Sequence, residues 1–201
     1  MKFILARHGE TTANTKSIIL GGREDGELSL RGVRQVKVLG ERLSGEHFTE
    51  VYCSTANRAR QTCAAVVGGR SCPVSYREEL RELDMGDLAG LSHEDAEEKY
   101  PNIFEDVFKD PSKRIPGGES LLDVQARAMP LIEALAKKEG NPTILAVGHN
   151  VVNRVILATL LGIPLEKCKN IKQKNACWAR LDVKPGIAQL YNLDNSIHTI
   201  K

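Results

Sequence analysis

Four apolar residues, Phe3-Ile4-Leu5-Ala6, stop abruptly at Arg7-His8-Gly9. The run is too short to span a membrane and reads as a strand buried on both faces. A second run of the same kind, Thr143-Ile144-Leu145-Ala146-Val147, ends in Gly148-His149-Asn150. Strands with two buried faces belong to sheets covered by helices on both sides, which points to an α/β fold with a mostly parallel central sheet. In such folds ligands bind at the carboxyl edge of the sheet, where this chain places a guanidinium and two imidazoles.

The intervening segments keep a strand, turn and helix rhythm. Ser29 is the expected N-cap of a helix whose apolar face is Val33, Val36, Leu39 and Leu43, ended by Gly45. Glu50 to Cys53 reads as a second strand, followed by a helix opening around Ser54 to Thr62 and running to about Val67. Pro73 to Tyr76 reads as a third strand. An insert at about 84–118 carries Glu94, Asp95, Glu97 and Glu98 on a helix, then Phe104 and Phe108, and is expected to be a lid within one domain spanning 1–201. Ser120 and Asp123 stand at capping-box spacing ahead of a helix through Val124, Ala128, Leu131 and Leu135, where Pro130 predicts a kink. A helix through Val152, Val155, Ile156, Thr159 and Leu160 follows the Thr143–Val147 strand. Ala176 to Val183 and Ile187 to Leu193 flank Lys184-Pro185-Gly186 as an antiparallel pair.

Bulk properties narrow the function. The 201 residues suffice for one well-filled core, and the formal net charge of +2 gives no general attraction to nucleic acid or membranes. Any cationic function must be local. Five cysteines without a Cys-x-x-Cys pair suggest neither a disulfide framework nor a zinc site, and fit a cytoplasmic protein. A strand beginning at Met1 leaves no room for a secretory leader. No metal or other cofactor is expected, because no His-Glu-x-x-His spacing, Walker-type loop or Asp cluster is present. An edge strand could pair two chains into a homodimer, although no sequence feature demands it.

Three strand ends carry groups suited to a phosphoryl oxyanion: Arg7 with His8, Arg58, and His149. Phosphoryl transfer rests on positioning and on cationic stabilisation of the equatorial oxygens, a task that planar guanidinium forks suit. A His8 ring bonded to the backbone at Gly9 would present its other nitrogen as a nucleophile, and nearby Arg7 and Arg58 disfavour its protonation. His47, His93 and His198 lack such a context and are expected to be surface residues.

Arg7-His8-Gly9-Glu10-Thr11 with Asn14, Leu28-Ser29 with Gly32, Ser54 with Arg58 and Thr62, Leu80-Arg81-Glu82, Gly118-Glu119-Ser120 and Gly148-His149 follow one another in the order of the histidine phosphatase superfamily. The resemblance covers nearly the whole chain and implies a phosphoglycerate mutase-like three-layer sandwich. It also implies that His8 is the nucleophile, that Arg7, Arg58 and His149 grip the phosphoryl oxygens, and that Glu82 protonates the leaving oxygen. On chemical grounds alone Asp84 is the rival carboxylate. Asn14, Gly21, Gly22 and Asn150 complete the expected substrate site. Two positions depart from the common pattern. Gly21-Gly22 stands where many members have Gln-Gly, and His149-Asn150 stands where His-Gly is usual.

The resemblance implies a metal-independent phosphatase for small phosphorylated metabolites, working through a phosphohistidine. The shortness of the chain favours hydrolysis over the mutase reaction. A phosphohistidine-protein phosphatase and a non-enzymatic phospholigand binder are the remaining alternatives. Lys109, Lys113 and Arg114 are expected to be solvated rather than to meet substrate.

Overall fold

The computed structural model describes the backbone of residues 1–199 and side chains through Ile197, so the side chain of His198 lies outside the described residues. In chain order the elements are β1 (Lys2–Arg7), α1 (Thr12–Thr15), α2 (Leu30–Arg42), β2 (Glu50–Ser54), α3 (Asn57–Val67) and β3 (Val74–Arg77). They continue with α4 (His93–Lys99), α5 (Ile103–Lys109), α6 (Leu121–Ala136), β4 (Thr143–Gly148), α7 (Asn150–Leu160), β5 (Trp178–Lys184) and β6 (Ile187–Asp194).

The sheet runs β3-β2-β4-β1-β5-β6. Its first four strands are parallel, and β5 and β6 extend it antiparallel beyond β1. The two unbroken apolar runs are the two central strands, paired so that Phe3 faces Ile144 and Arg7 faces Gly148. Alternation along β1 explains why no polar residue interrupts them. Phe3 and Leu5 enter one core with α6 and α7, whereas Ile4 and Ala6 enter a second core with α2 and α3. The result is three layers. Among the described residues no helix is long and apolar enough to cross a membrane.

Local chemistry sets the helix starts. The Ser29 hydroxyl accepts the Gly32 N–H at 3.0 Å, and Ser120 and Asp123 cap α6 reciprocally at 3.1 and 2.8 Å. The apolar face of α2 is narrower than expected. Val36, Leu39 and Leu43 are buried, but Val33 is 54% exposed, because the loop before the helix packs on Gly32 and Gln35 instead. A Cβ at Gly32 would lie 2.0 Å from the Glu10 carbonyl oxygen, so only glycine lets the loop following β1 cross the helix there.

The insert at 84–118 does not stand off from the body. Leu88, Ala96, Ile103, Val107 and Ile115 are buried in the same core as α6 and α7, with Phe104 and Phe108 packed against it. Lys109, Lys113 and Arg114 pair on the surface with Glu105, Asp106 and Asp123.

Candidate active site

Parallel pairing brings the carboxyl ends of β1, β4 and β2 side by side, and each delivers a polar group just where its ladder stops. The His8 N–H donates to the Gly148 carbonyl at 3.2 Å, which joins the turn after β1 to the end of β4. Arg7, His8, Arg58, Glu82, Asn14, Gly21 and Asn150 meet around one cavity of about 150 Å³.

The buried His8 ring places Nδ1 2.7 Å from the Gly9 carbonyl oxygen. A carbonyl can only accept, so Nδ1 carries the hydrogen and Nε2 is left with its lone pair. Burial first, then the charges of Arg58 and Arg7, hold the His8 pKa well below the usual imidazole value, against a smaller opposing effect of the Gly9 bond. The neutral, single-tautomer ring is therefore the resting form.

His149 is fully buried beside this ring, with the two ring centroids 5.1 Å apart and the planes inclined by 61°. Its Nε2 lies 2.7 Å from the Ser54 hydroxyl and its buried Nδ1 has no protein partner. Burial, Arg58, His8 and Arg7 keep its pKa far down as well. With Nε2 on Ser54, Nδ1 is the ring atom that remains for a ligand.

Arg58, the second residue of α3, is only 2% exposed and donates to the carbonyls of Gly21 at 2.9 Å and Glu24 at 3.1 Å. The loop after β1 is thereby strapped over the sheet edge. Gly21 accepts this bond at φ +64°, a backbone conformation for which glycine is the natural occupant. Gly22 does not join the cavity wall. It packs against the Glu82 carbonyl, and its own carbonyl accepts from Arg81 at 2.6 Å. Asn14 uses its side-chain oxygen on the Thr11 N–H at 3.0 Å and on Asn175 at 3.2 Å, so its amide NH₂ is the end left to a ligand.

Glu82 is 9% exposed, and its position has a cause that sequence reasoning missed. Its carboxylate accepts from the N–H groups of Leu83, Asn150, Val151 and Val152 at 2.9–3.1 Å. His149, the N-cap residue of α7, makes no side-chain cap, and Glu82 supplies it from another part of the chain. Neither Arg81 nor Arg77 pairs with it; Arg81 lies 3.6 Å from Glu78 instead. Asp84 is drawn away from the cavity by Arg23, at 2.7 Å, and by the Gly86 N–H. His93 is exposed, as expected, yet it also lines the cavity mouth, its ring 5.4 Å from that of Phe104. Only the folding of the insert could reveal that role.

Two guanidiniums, a neutral imidazole with a free Nε2 and one carboxyl around a small cavity can bind a tetrahedral oxyanion, attack it and move a proton. Known proteins agree with this chemistry. The chain is 31% identical to phosphoserine phosphatase 1 of Hydrogenobacter thermophilus over 98% of its length and 94% of that protein's. It is 30% identical to the adenosylcobalamin/alpha-ribazole phosphatase of Escherichia coli K12, covering 97% and 96% of the two chains. The crystal structure of the alpha-ribazole phosphatase from Shigella flexneri superposes with a TM-score of 0.86 at 30% identity, over 98% of this chain and 97% of that one. The histidine phosphatase superfamily (branch 1) matches residues 3–196, and the chain belongs to that family.

Proposed function

We propose that the protein hydrolyses small phosphomonoesters, without a metal ion, through a phosphohistidine at position 8. The observation that carries this reading is the His8 tautomer: Nδ1–H is committed to the Gly9 carbonyl, and Nε2 is unprotonated beside Arg7 and Arg58. His8 Nε2 attacks phosphorus, the N–P bond forms and the bond from phosphorus to the ester oxygen breaks. The Glu82 carboxylic acid gives its proton to the departing alkoxide. A water then attacks phosphorus while Glu82 takes the water's proton, the new O–P bond forms as the His8 Nε2–P bond breaks, and inorganic phosphate leaves with His8 restored.

Arg7 and Arg58 face the cavity as fixed cations. Their task is to neutralise the equatorial oxygens, whose charge the transition state spreads outward. His149, its ring packed against that of His8 and its Nδ1 without a protein partner, is the third group assigned to the phosphoryl oxygens. The phosphatase names of the relatives support hydrolysis of a small ester. Five unpaired cysteines, four of them buried, support a reducing cytoplasmic setting. Ile187, 70% exposed, and Tyr191 on edge strand β6 support pairing of two copies.

The test is a panel of phosphate monoesters assayed in chelator, with rapid quenching into base. Turnover with a base-stable, acid-labile phosphoenzyme that is absent from His8→Ala is the expected result. Undiminished turnover by His8→Ala overturns the reading. Isomer exchange between phosphoglycerates without phosphate release would assign the mutase reaction instead.

A further inference from the structure

A second cavity of about 330 Å³ adjoins the first and shares two of its walls, Arg7 and Asn150. Its other walls are Arg154, Lys169, Lys172, Gln173 and Lys174. Five cations line it and no carboxylate does. Among the described residues, none of Arg154, Lys169, Lys172 and Lys174 forms an ion pair, whereas the basic residues of the insert are paired. A surface that leaves this many like charges together without counterions costs electrostatic repulsion, which a bound polyanion would relieve.

A second observation points inward. Gln173 is 3% exposed, and its Nε2 has no acceptor. The amide orientation is fixed: Asn153 Nδ2 donates to the Ala6 carbonyl at 3.1 Å and also reaches Gln173 Oε1 at 3.3 Å, so the Gln173 donor end is the unsatisfied one. The Nε atoms of Arg7 and Arg154 are likewise buried without acceptors. A buried donor left unpaired is unfavourable, and all three residues that carry one line this cavity.

Resting on the phosphatase reading above, we propose that the preferred substrates carry a second phosphate-type anion, which seats among Arg154, Lys169, Lys172 and Gln173 while the first is cleaved at His8. Arg7 spans the two sites, its backbone on β1 and one guanidinium nitrogen donating to the Gln173 carbonyl. Asn150, the residue that departs from the usual His-Gly pattern, stands in the wall common to both cavities. Five cations suit a multiply charged phosphate better than a single carboxylate.

The test uses α,ω-alkanediol bisphosphates of two to six carbons against the corresponding ω-hydroxyalkyl monophosphates. For at least one spacer length, KM for the bisphosphate is expected to fall tenfold or more below that for its monophosphate. That ratio collapses towards one in Lys169→Ala/Lys172→Ala and survives in Lys37→Ala/Lys137→Ala, which removes the same net charge elsewhere. Equal KM at every spacer, or a ratio unchanged in the first double variant, overturns the inference. If no ester is hydrolysed, the phosphatase reading falls by itself. Calorimetric titration with the same bisphosphates then decides this one: binding tenfold weaker to Lys169→Ala/Lys172→Ala upholds it, and equal binding overturns it.

Discussion

The Glu82 carboxylate accepts the Asn150 N–H at 2.9 Å, the first of three consecutive α7 amides it satisfies. The proposed proton donor is therefore also the cap of the helix that follows His149. These two roles are separable. Glu82→Ala strips the cap and should cost about 1–2 kcal/mol in urea unfolding, while turnover falls about 10²–10⁴-fold. The loss of kcat should be larger for an alkyl phosphate than for p-nitrophenyl phosphate, whose leaving group scarcely needs a proton. Equal losses for both leaving groups would leave Glu82 as a structural cap alone.

Much of this site could be read before the fold was known, and the reason is positional. Arg7, His8 and His149 sit where unbroken apolar runs stop, and a strand end in a parallel sheet has one destination. Depth and long-range capping are different matters. Nothing local to Glu82 says that it closes a helix beginning 68 residues later, and nothing around His149 says that its ring packs on that of His8. Val33 keeps the α2 spacing yet is exposed, because packing of the preceding loop on Gly32 decided the helix's rotation.

Both site imidazoles are buried and neutral, which fixes the sign of a pH effect. A base whose pKa is depressed on folding binds protons more readily when unfolded, so stability rises with pH up to the ordinary imidazole value of about 6.5 and is then constant with respect to these groups. Below that value each neutral histidine should subtract about 1.4 kcal/mol per pH unit. Urea unfolding at intervals from pH 7.5 to 5 should show this slope, reduced by about one histidine's share in His8→Asn. An identical slope in the variant would mean that His8 is not held neutral by the fold.

Arg58 ties the Gly21 and Glu24 carbonyls while lining the cavity, so its two functions respond differently to substitution. A lysine keeps the charge but not the planar fork that serves two carbonyls and an oxyanion together. Arg58→Lys is expected to lower kcat/KM about 10²-fold or more, and to raise the inhibition constant of vanadate in step with the loss of kcat/KM. A variant with near-normal vanadate inhibition but low activity would assign Arg58 to loop positioning rather than to the oxyanion.

Gly32 offers a check on how the site loop is held, at a distance from the chemistry. Its added Cβ would fall 2.0 Å from the Glu10 carbonyl oxygen, backbone against backbone, with the Glu10 carbonyl carbon at 2.9 Å and its nitrogen at 3.0 Å. No rotamer change relieves such a contact, so the loop or the helix must move. Helix propensity alone would favour alanine by up to about 1 kcal/mol, and overpacking of this kind costs about 1–3 kcal/mol. Gly32→Ala should therefore lower the melting temperature and, by shifting the Gly9-Glu10 backbone, weaken the His8 Nδ1–H bond to Gly9. The proton resonance of that ring N–H, expected to be sharp and slowly exchanging in the wild type because the bond is buried, should broaden in the variant. A stabilised Gly32→Ala protein with an unchanged resonance would show that the approach of the loop to α2 is looser than these distances require.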